Sequence, residues 1–279
     1  MSELIQWPRA KWWEKQWNPV IGCKPCSPAC EHCYAAAWAK RFGQSFEPHK
    51  SSQERPPRKG VVFCGNMTDL FGEWAMMSTR YLDPIEEWLS ETFYYGRSMR
   101  YMKQCTYLWL TKRVGNMVKV LQKGKIDIDR QVSRFSEMVD WGRFDFGKDL
   151  MSNNYFGFTA ENQEWYDRRM KDFRGGMPRW ANGWLSAEPL LGPINLGLQY
   201  IAPEDAPFKW VVVGCESGPN RRPCKIEWVA DIVEQCRAAN VPVFVKQICL
   251  PNGKFTNKIE EFPEHLRIRQ VPWAKEGAK

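Results

Sequence analysis

The residues in this chain best suited to chemistry are four cysteines set within eleven positions, Cys23, Cys26, Cys30 and Cys33. Thiolates this close together can wrap one soft metal centre without a long loop-closure cost. The donor set leaves two choices. A tetrahedral zinc ion would use all four sulfurs, but structural zinc sites usually draw paired ligands from two separated knuckles, and only one knuckle-like unit is present. An iron-sulfur cluster takes one Cys per iron unless an iron is kept open for a substrate or cofactor. His32, inside the loop, is read as a solvated or hydrogen-bonded side chain, because the thiolates suffice. Cys64, Cys105, Cys215, Cys224, Cys236 and Cys249 are scattered without ligand spacing and are read as buried free thiols. Of these, Cys64 and Cys215 fall near strand ends and could donate a hydrogen atom.

The loop needs a scaffold, and the composition bounds what that scaffold is. With 279 residues, 43% hydrophobic and 26% charged, the chain is an ordinary globular length for one domain, residues 1–279. Short apolar runs recur along it: Val61–Cys64, Tyr107–Leu110, Tyr155–Phe158, Trp184–Ser186, Trp210–Val213 and Val241–Val245. Each reads as a buried strand of a parallel sheet. Amphipathic stretches of helical length lie between several of them, at Pro84–Tyr95, Gln163–Phe173 and Ile226–Ala239. That alternation predicts an α/β fold of βα units. With a further strand at Asn18–Ile21 ahead of the Cys loop, the count approaches a full or partial (β/α) barrel, and a doubly wound open sheet is the alternative. Residues 44–59 read as a loop insertion and 250–279 as a C-terminal tail.

In such folds the active site lies at the carboxyl ends of the strands. The residues there are Asn66, Thr68 and Asp69; Thr111, Lys112 and Arg113; Thr159, Glu161 and Asn162; Glu188; Glu216 and Ser217; and Lys246 and Gln247. Together with the Cys loop they form a candidate polar ligand site. No apolar run resembles a signal peptide or a membrane span, so a cytoplasmic location is expected and disulfides are a poor reading of the ten Cys. Fifteen Trp exceed ordinary use and can serve as core, pocket wall or stacking platform. Between Arg97 and Arg134, ten Lys and Arg face only Asp127 and Asp129, which matches the whole net charge of +8. That stretch is either a surface for a polyanion such as DNA or a solvated helix face.

The spacing Cys26-x3-Cys30-x2-Cys33 resembles that by which radical S-adenosylmethionine enzymes hold three irons of a 4Fe-4S cluster. The segment Trp17-Asn18-Pro19-Val20-Ile21-Gly22-Cys23, with Cys30-x2-Cys33-Tyr34-Ala35 beyond it, resembles a phage and prophage family called the three-Cys-motif family. On that match the ligands are Cys23, Cys30 and Cys33, with Cys26 the alternative third. The likeness continues through Gly65–Phe71, Leu110–Arg113, Leu185–Ile194, Val213–Pro219 and Val245–Gln247. The Thr68-Asp69 and Thr111-Lys112 blocks are also similar, more distantly, to spore photoproduct lyase-like radical enzymes.

The resemblance implies a radical-enzyme barrel with the Cys loop after its first strand. It implies a 4Fe-4S cluster and S-adenosylmethionine as cofactors, a 5'-deoxyadenosyl radical as the reactive species, and a reductant protein such as flavodoxin or ferredoxin. Gly65 and Asn66 are expected near the methionine amino group, and Thr111, Glu161 and Glu188 near the ribose or carboxylate. Tyr34 is expected to pack over adenine or the cluster. Thr68, Asp69, Lys112 and Glu216 complete the expected cofactor surroundings. The implied substrate is a nucleobase in phage DNA, such as a hypermodified thymine undergoing isomerisation of an aminoacyl side chain. The alternatives are a nucleic-acid-binding module with a structural zinc or iron-sulfur site, and a radical enzyme acting on a peptide or small metabolite.

Overall fold

The apolar runs become strands that lie side by side in chain order. The computed structural model describes residues 6–76, 85, 88–89, 91–92, 105–122, 153–178, 181–202, 205–218 and 220–273. Its main sheet has eight strands, in the order β1 (Lys15–Trp17), β4 (Gly60–Cys64), β5 (Cys105–Thr111), β6 (Asn154–Thr159), β7 (Asn182–Ala187), β8 (Trp210–Gly214), β9 (Val243–Cys249) and β10 (Phe255–Thr256). Neighbours are parallel from β1 to β9, and β10 is antiparallel to β9. The remaining two strands, β2 (Val20–Ile21) and β3 (His49–Lys50), form a small antiparallel sheet of their own. The protein is therefore a mixed α/β fold with a mostly parallel sheet.

Parallel neighbours require crossovers long enough to carry a helix. The Gln163–Gly176 helix links β6 to β7, and the Ile226–Ala238 helix links β8 to β9. Asn162 starts the first of these, its side chain accepting from Trp165 N at 3.1 Å, the usual capping device for an orphan amide. That helix buries Tyr166, Met170 and Phe173, spaced by four and three residues, and Phe173 meets Phe158 of β6 with ring centroids 5.0 Å apart. The expected helix at Pro84–Tyr95 falls mostly outside the described residues, as does much of the basic stretch from Arg97 to Arg134.

Strand alternation sorts the apolar side chains into two cores. Val62, Trp109, Phe156, Leu185, Val211 and Val245 belong to the larger one, shared with the helices. Val61, Phe63, Leu108, Tyr155, Trp184, Trp210, Val212 and Phe244 face the other way and enclose Trp12. The Trp12 ring lies 4.7 Å from Phe63 on β4, 5.3 Å from Trp184 on β7 and 5.4 Å from Trp210 on β8. In a flat sheet β4 and β7 would stand about 14 Å apart at the usual strand spacing. One indole reaching both means that the sheet curls around it. An aromatic side chain buried in this way is worth about 3–5 kcal/mol against truncation to Ala.

Among the described residues no ladder joins β1 to β9 or β10. Isolated bridges from Gln6 to Gln270 and from Phe244 to Arg269 lie on that side instead. Part of the region expected to be a tail is therefore folded onto the sheet. Arg269 is buried, and its guanidinium donates to the carbonyls of Val245, Lys246 and Asn257. A planar group with five donors can satisfy several backbone acceptors at once.

The strand ahead of the Cys loop also differs from the sequence reading. The strand of the main sheet is Lys15–Trp17, and the expected Asn18–Ile21 contributes only β2 to the small sheet. Pro19 has no amide hydrogen to give a ladder. Asn18 is committed elsewhere, its side chain bonding Asn66 and the Met67 amide. No helix among the described residues is long and apolar enough to cross a membrane.

Candidate functional site

The Cys loop and the carboxyl ends of the strands face one cavity. Its wall includes Cys23, Cys26, Cys30, Cys33 and Tyr34 from the loop, and Gly65, Asn66, Thr68 and Asp69 after β4. Thr111 and Lys112 of β5 and its sequel, Glu188 after β7, Cys215 and Glu216 after β8, and Lys246 of β9 complete it. Four of the expected residues are not part of this lining: Cys64, Glu161, Asn162, which caps a helix, and Gln247, which bonds Glu188. Cys64 is buried among the helix-facing core, where loss of solvent pushes its thiol far up. Glu161 is fully buried and paired with Arg169 at 2.6 Å.

The loop is held at its start by backbone geometry. Gly22 has φ +96°, and a Cβ there would sit 2.4 Å from the Glu47 carbonyl oxygen, so only glycine fits. Thr68 Oγ1 donates to the Gly22 carbonyl at 2.6 Å, and Cys23 N donates to Phe46 O at 3.0 Å. Asn18 Nδ2 donates to Asn66 Oδ1 at 2.7 Å, tying β1's end to the turn after β4. Tyr34 reaches the same turn, its hydroxyl donating to the Asn66 carbonyl.

Two arginines grip the rest of the loop. Asp69 accepts from Phe71 N, Thr111 Oγ1, Lys112 N and Arg113 Nη1 at 2.7–3.2 Å, so both its oxygens are occupied. Arg113 then uses Nη2 to hold the Lys24 carbonyl at 2.8 Å. On the other side Arg222 Nη2 meets Glu216 Oε1 at 2.5 Å, while its Nη1 donates to Pro28 O at 3.0 Å and to Glu31. His32 Nδ1 completes this clasp, donating to Glu216 Oε2 at 2.9 Å. Burial opposes the charge on Glu216, but the bonds from Arg222 and His32 outweigh it and hold the carboxyl below its ordinary range.

The loop thiols are all partly exposed and unpaired as disulfides. The neighbouring Cys26 thiol holds Cys30 down at about 4 despite its partial burial, with Lys112 adding to the effect. Cys26 itself is pushed far up. Among the described residues no three His, Cys, Asp or Glu converge as ligands of a single metal ion.

Opposite the loop, Glu188 accepts from Lys246 Nζ at 2.5 Å and from Gln247 Nε2 at 3.0 Å. Trp12 and Trp13 also line the cavity, and the indole N–H of each is buried without an acceptor among the described residues. A buried donor left unpaired costs about 1–3 kcal/mol, so a bound molecule with acceptors would relieve it. Four thiols of soft character on one wall and orphan donors beside them fit an iron-sulfur cluster with a polar ligand.

The family model described as "Protein of unknown function (DUF5131)" matches residues 8–261. The chain belongs to this family. The matched span of the DUF5131 chain contains the Cys loop and every cavity residue named above. No curated protein and no solved structure matches it.

Sequence reasoning missed three features of this DUF5131 chain. Arg222 gave no local signal, since its partners lie six residues away and in the distant loop. Trp12 and Trp13 were indistinguishable from other Trp. Cys215, Cys224 and Cys249, scattered in sequence, come together: Cys249 N donates to Cys215 Sγ at 3.0 Å, and the nearby Cys224, together with burial, pushes the Cys215 thiol far up.

Proposed function

We propose that this chain is a radical S-adenosylmethionine enzyme that modifies a nucleobase. The observation that carries the reading is the shared cavity: a clamped loop of four cysteines faces the carboxyl ends of β4, β5, β7, β8 and β9. A curled sheet whose parallel strands run in chain order suits a partial (β/α) barrel of the radical-enzyme type. Cys23, Cys30 and Cys33 would hold a 4Fe-4S cluster, with Cys26 as the alternative third ligand. When bound, the cluster and S-adenosylmethionine supply a 5'-deoxyadenosyl radical, with electrons from a flavodoxin- or ferredoxin-like donor.

The chain's own residues have definite tasks on this reading. Arg113 and Arg222 fix the loop against the strand ends, so the thiols keep their spacing. Asp69, with both oxygens already occupied, positions Thr111 and Arg113 and is not itself a ligand. Glu188 and Lys246, paired with each other, present one acceptor and one cation to a polar ligand. Trp13, Phe63 and Leu110 form an apolar floor that excludes water from a reactive species. Cys215, lining the cavity with its proton firmly held, is suited to give a hydrogen atom to a substrate radical.

The test is anaerobic purification followed by iron and sulfide analysis and electron spin resonance with and without S-adenosylmethionine. The expected result is a 4Fe-4S signal perturbed by the ligand, with reductive release of methionine and 5'-deoxyadenosine. A single zinc ion with no iron, or a cluster indifferent to S-adenosylmethionine, overturns the reading. Mass spectrometry of nucleosides from phage DNA treated with the enzyme tests the substrate.

A further inference from the structure

The helix that follows the Cys loop, Tyr34–Arg41, buries only Ala35 and Ala39. Its outer side carries Tyr34, Trp38 and the C-capping Phe42, which are 53%, 44% and 56% exposed. These are three of the four large hydrophobic side chains exposed among the described residues. A solvent-facing helix normally avoids such a row, and contiguous exposed apolar surface marks a contact. Spacing by four puts the three on one face, each about 6 Å further along the axis.

The row begins at the cavity, since Tyr34 and nearby Phe46 both line its wall. The segment that carries it and the loop that follows are rich in positive charge. From residue 34 to residue 59, Lys40, Arg41, Lys50, Arg55, Arg58 and Lys59 face only Glu47 and Glu54. The segment is brought beside the Cys loop by pairing of Val20 with Lys50 and Ile21 with His49. Arg41 lies 5.8 Å from the Phe42 ring centroid.

We propose that this face is a stacking platform for single-stranded nucleic acid, leading a strand to the cavity mouth. The inference rests on the nucleobase part of the proposed function and names how that substrate is held. Aromatic faces interleaved with cations are what unstacked bases and their phosphates require. An acidic redox partner would use the cations but has no need of a row of ring faces. Trp38 and Phe42 lie 4.8 Å apart and tilted by 48°. A base inserted between two rings needs about twice the 3.4 Å base rise. The pair therefore acts as one platform, with bases on its outer side.

The experiment uses the full chain, reconstituted anaerobically, and a labelled dT12 strand read by fluorescence anisotropy. Trp38→Ala and Phe42→Ala should each weaken binding about 10-fold, and Trp38→Phe should restore most of it. Lys40→Gln with Arg41→Gln should lower the slope of log affinity against log salt by about 0.7 per charge. Iron content and release of 5'-deoxyadenosine should stay unchanged in all four variants, which separates failure of the platform from failure of the cofactor reading. Parental affinity in both Ala variants overturns the proposal, and so does absence of dT12 binding by the parent chain. Loss of reduction by flavodoxin in Trp38→Ala, with dT12 binding unaltered, assigns the face to a redox protein and equally overturns it.

Discussion

Two groups of cysteines meet at the cavity wall and have opposite characters, the four of the loop lining it together and the second group reaching it through Cys215 alone. The loop thiols lie partly in solvent, near Lys112 and Arg113, and the Cys26 neighbour lowers the Cys30 thiol. Cys215, with Cys224 and Cys249 beside it, is fully buried, and its strongest partner, Cys224, is another thiol. The two groups differ in water and charge rather than in their distance from the strand ends. A thiol becomes a ligand where cations and solvent favour the thiolate, and stays an inert or hydrogen-donating group where burial forbids it.

The sharpest way to break this contrast is substitution. Cys30→Ala should abolish iron binding in anaerobically reconstituted protein, whereas Cys224→Ala should retain the parental iron content. Equal loss in both would erase the distinction. Next in size is the clamp. Arg113→Ala leaves the largely buried Asp69 without its cation and should lower stability by about 3 kcal/mol in urea unfolding. The same substitution should make the loop cysteines alkylate faster while Cys215 stays protected, as peptide mass spectrometry would show.

The smallest effect concerns pH. Glu216 has a folded-state pKa below its unfolded value, so the unfolded chain binds more protons in the window between the two. Its contribution is therefore fully present above about pH 4.3, the ordinary Glu value, and is lost as pH falls through the lower folded value. Urea midpoints from pH 6 downward should fall with this component in the parent chain and lack it in Glu216→Gln. Identical profiles would remove the Arg222 side of the clamp from the account.

Local pattern made the frame of the molecule readable. The run Trp210–Val213 lies within β8, and Tyr155–Phe158 lies within β6, because apolar side chains on both faces report a strand covered on both sides. The same logic misplaced the first strand, since Val20 and Ile21 are apolar but follow Pro19, while the true strand Lys15–Trp17 has two exposed residues of three. The candidate site was legible wherever it follows a strand. Arg222 and the Cys215 group were hidden because their partners are set by folding across long sequence separations. Glu161 shows the converse error: a charged residue after a strand that turns away into a buried ion pair.

Trp12 belongs to the core and to the cavity at once. The indole around which the sheet curls also lines the hollow that opens at the Cys loop, with Trp13 alongside. A visitor in the hollow thus touches the same ring that packs against Phe63, Trp184 and Trp210. Replacing that indole with a smaller side chain would therefore widen the hollow and, in the same step, loosen the packing that joins β4, β7 and β8.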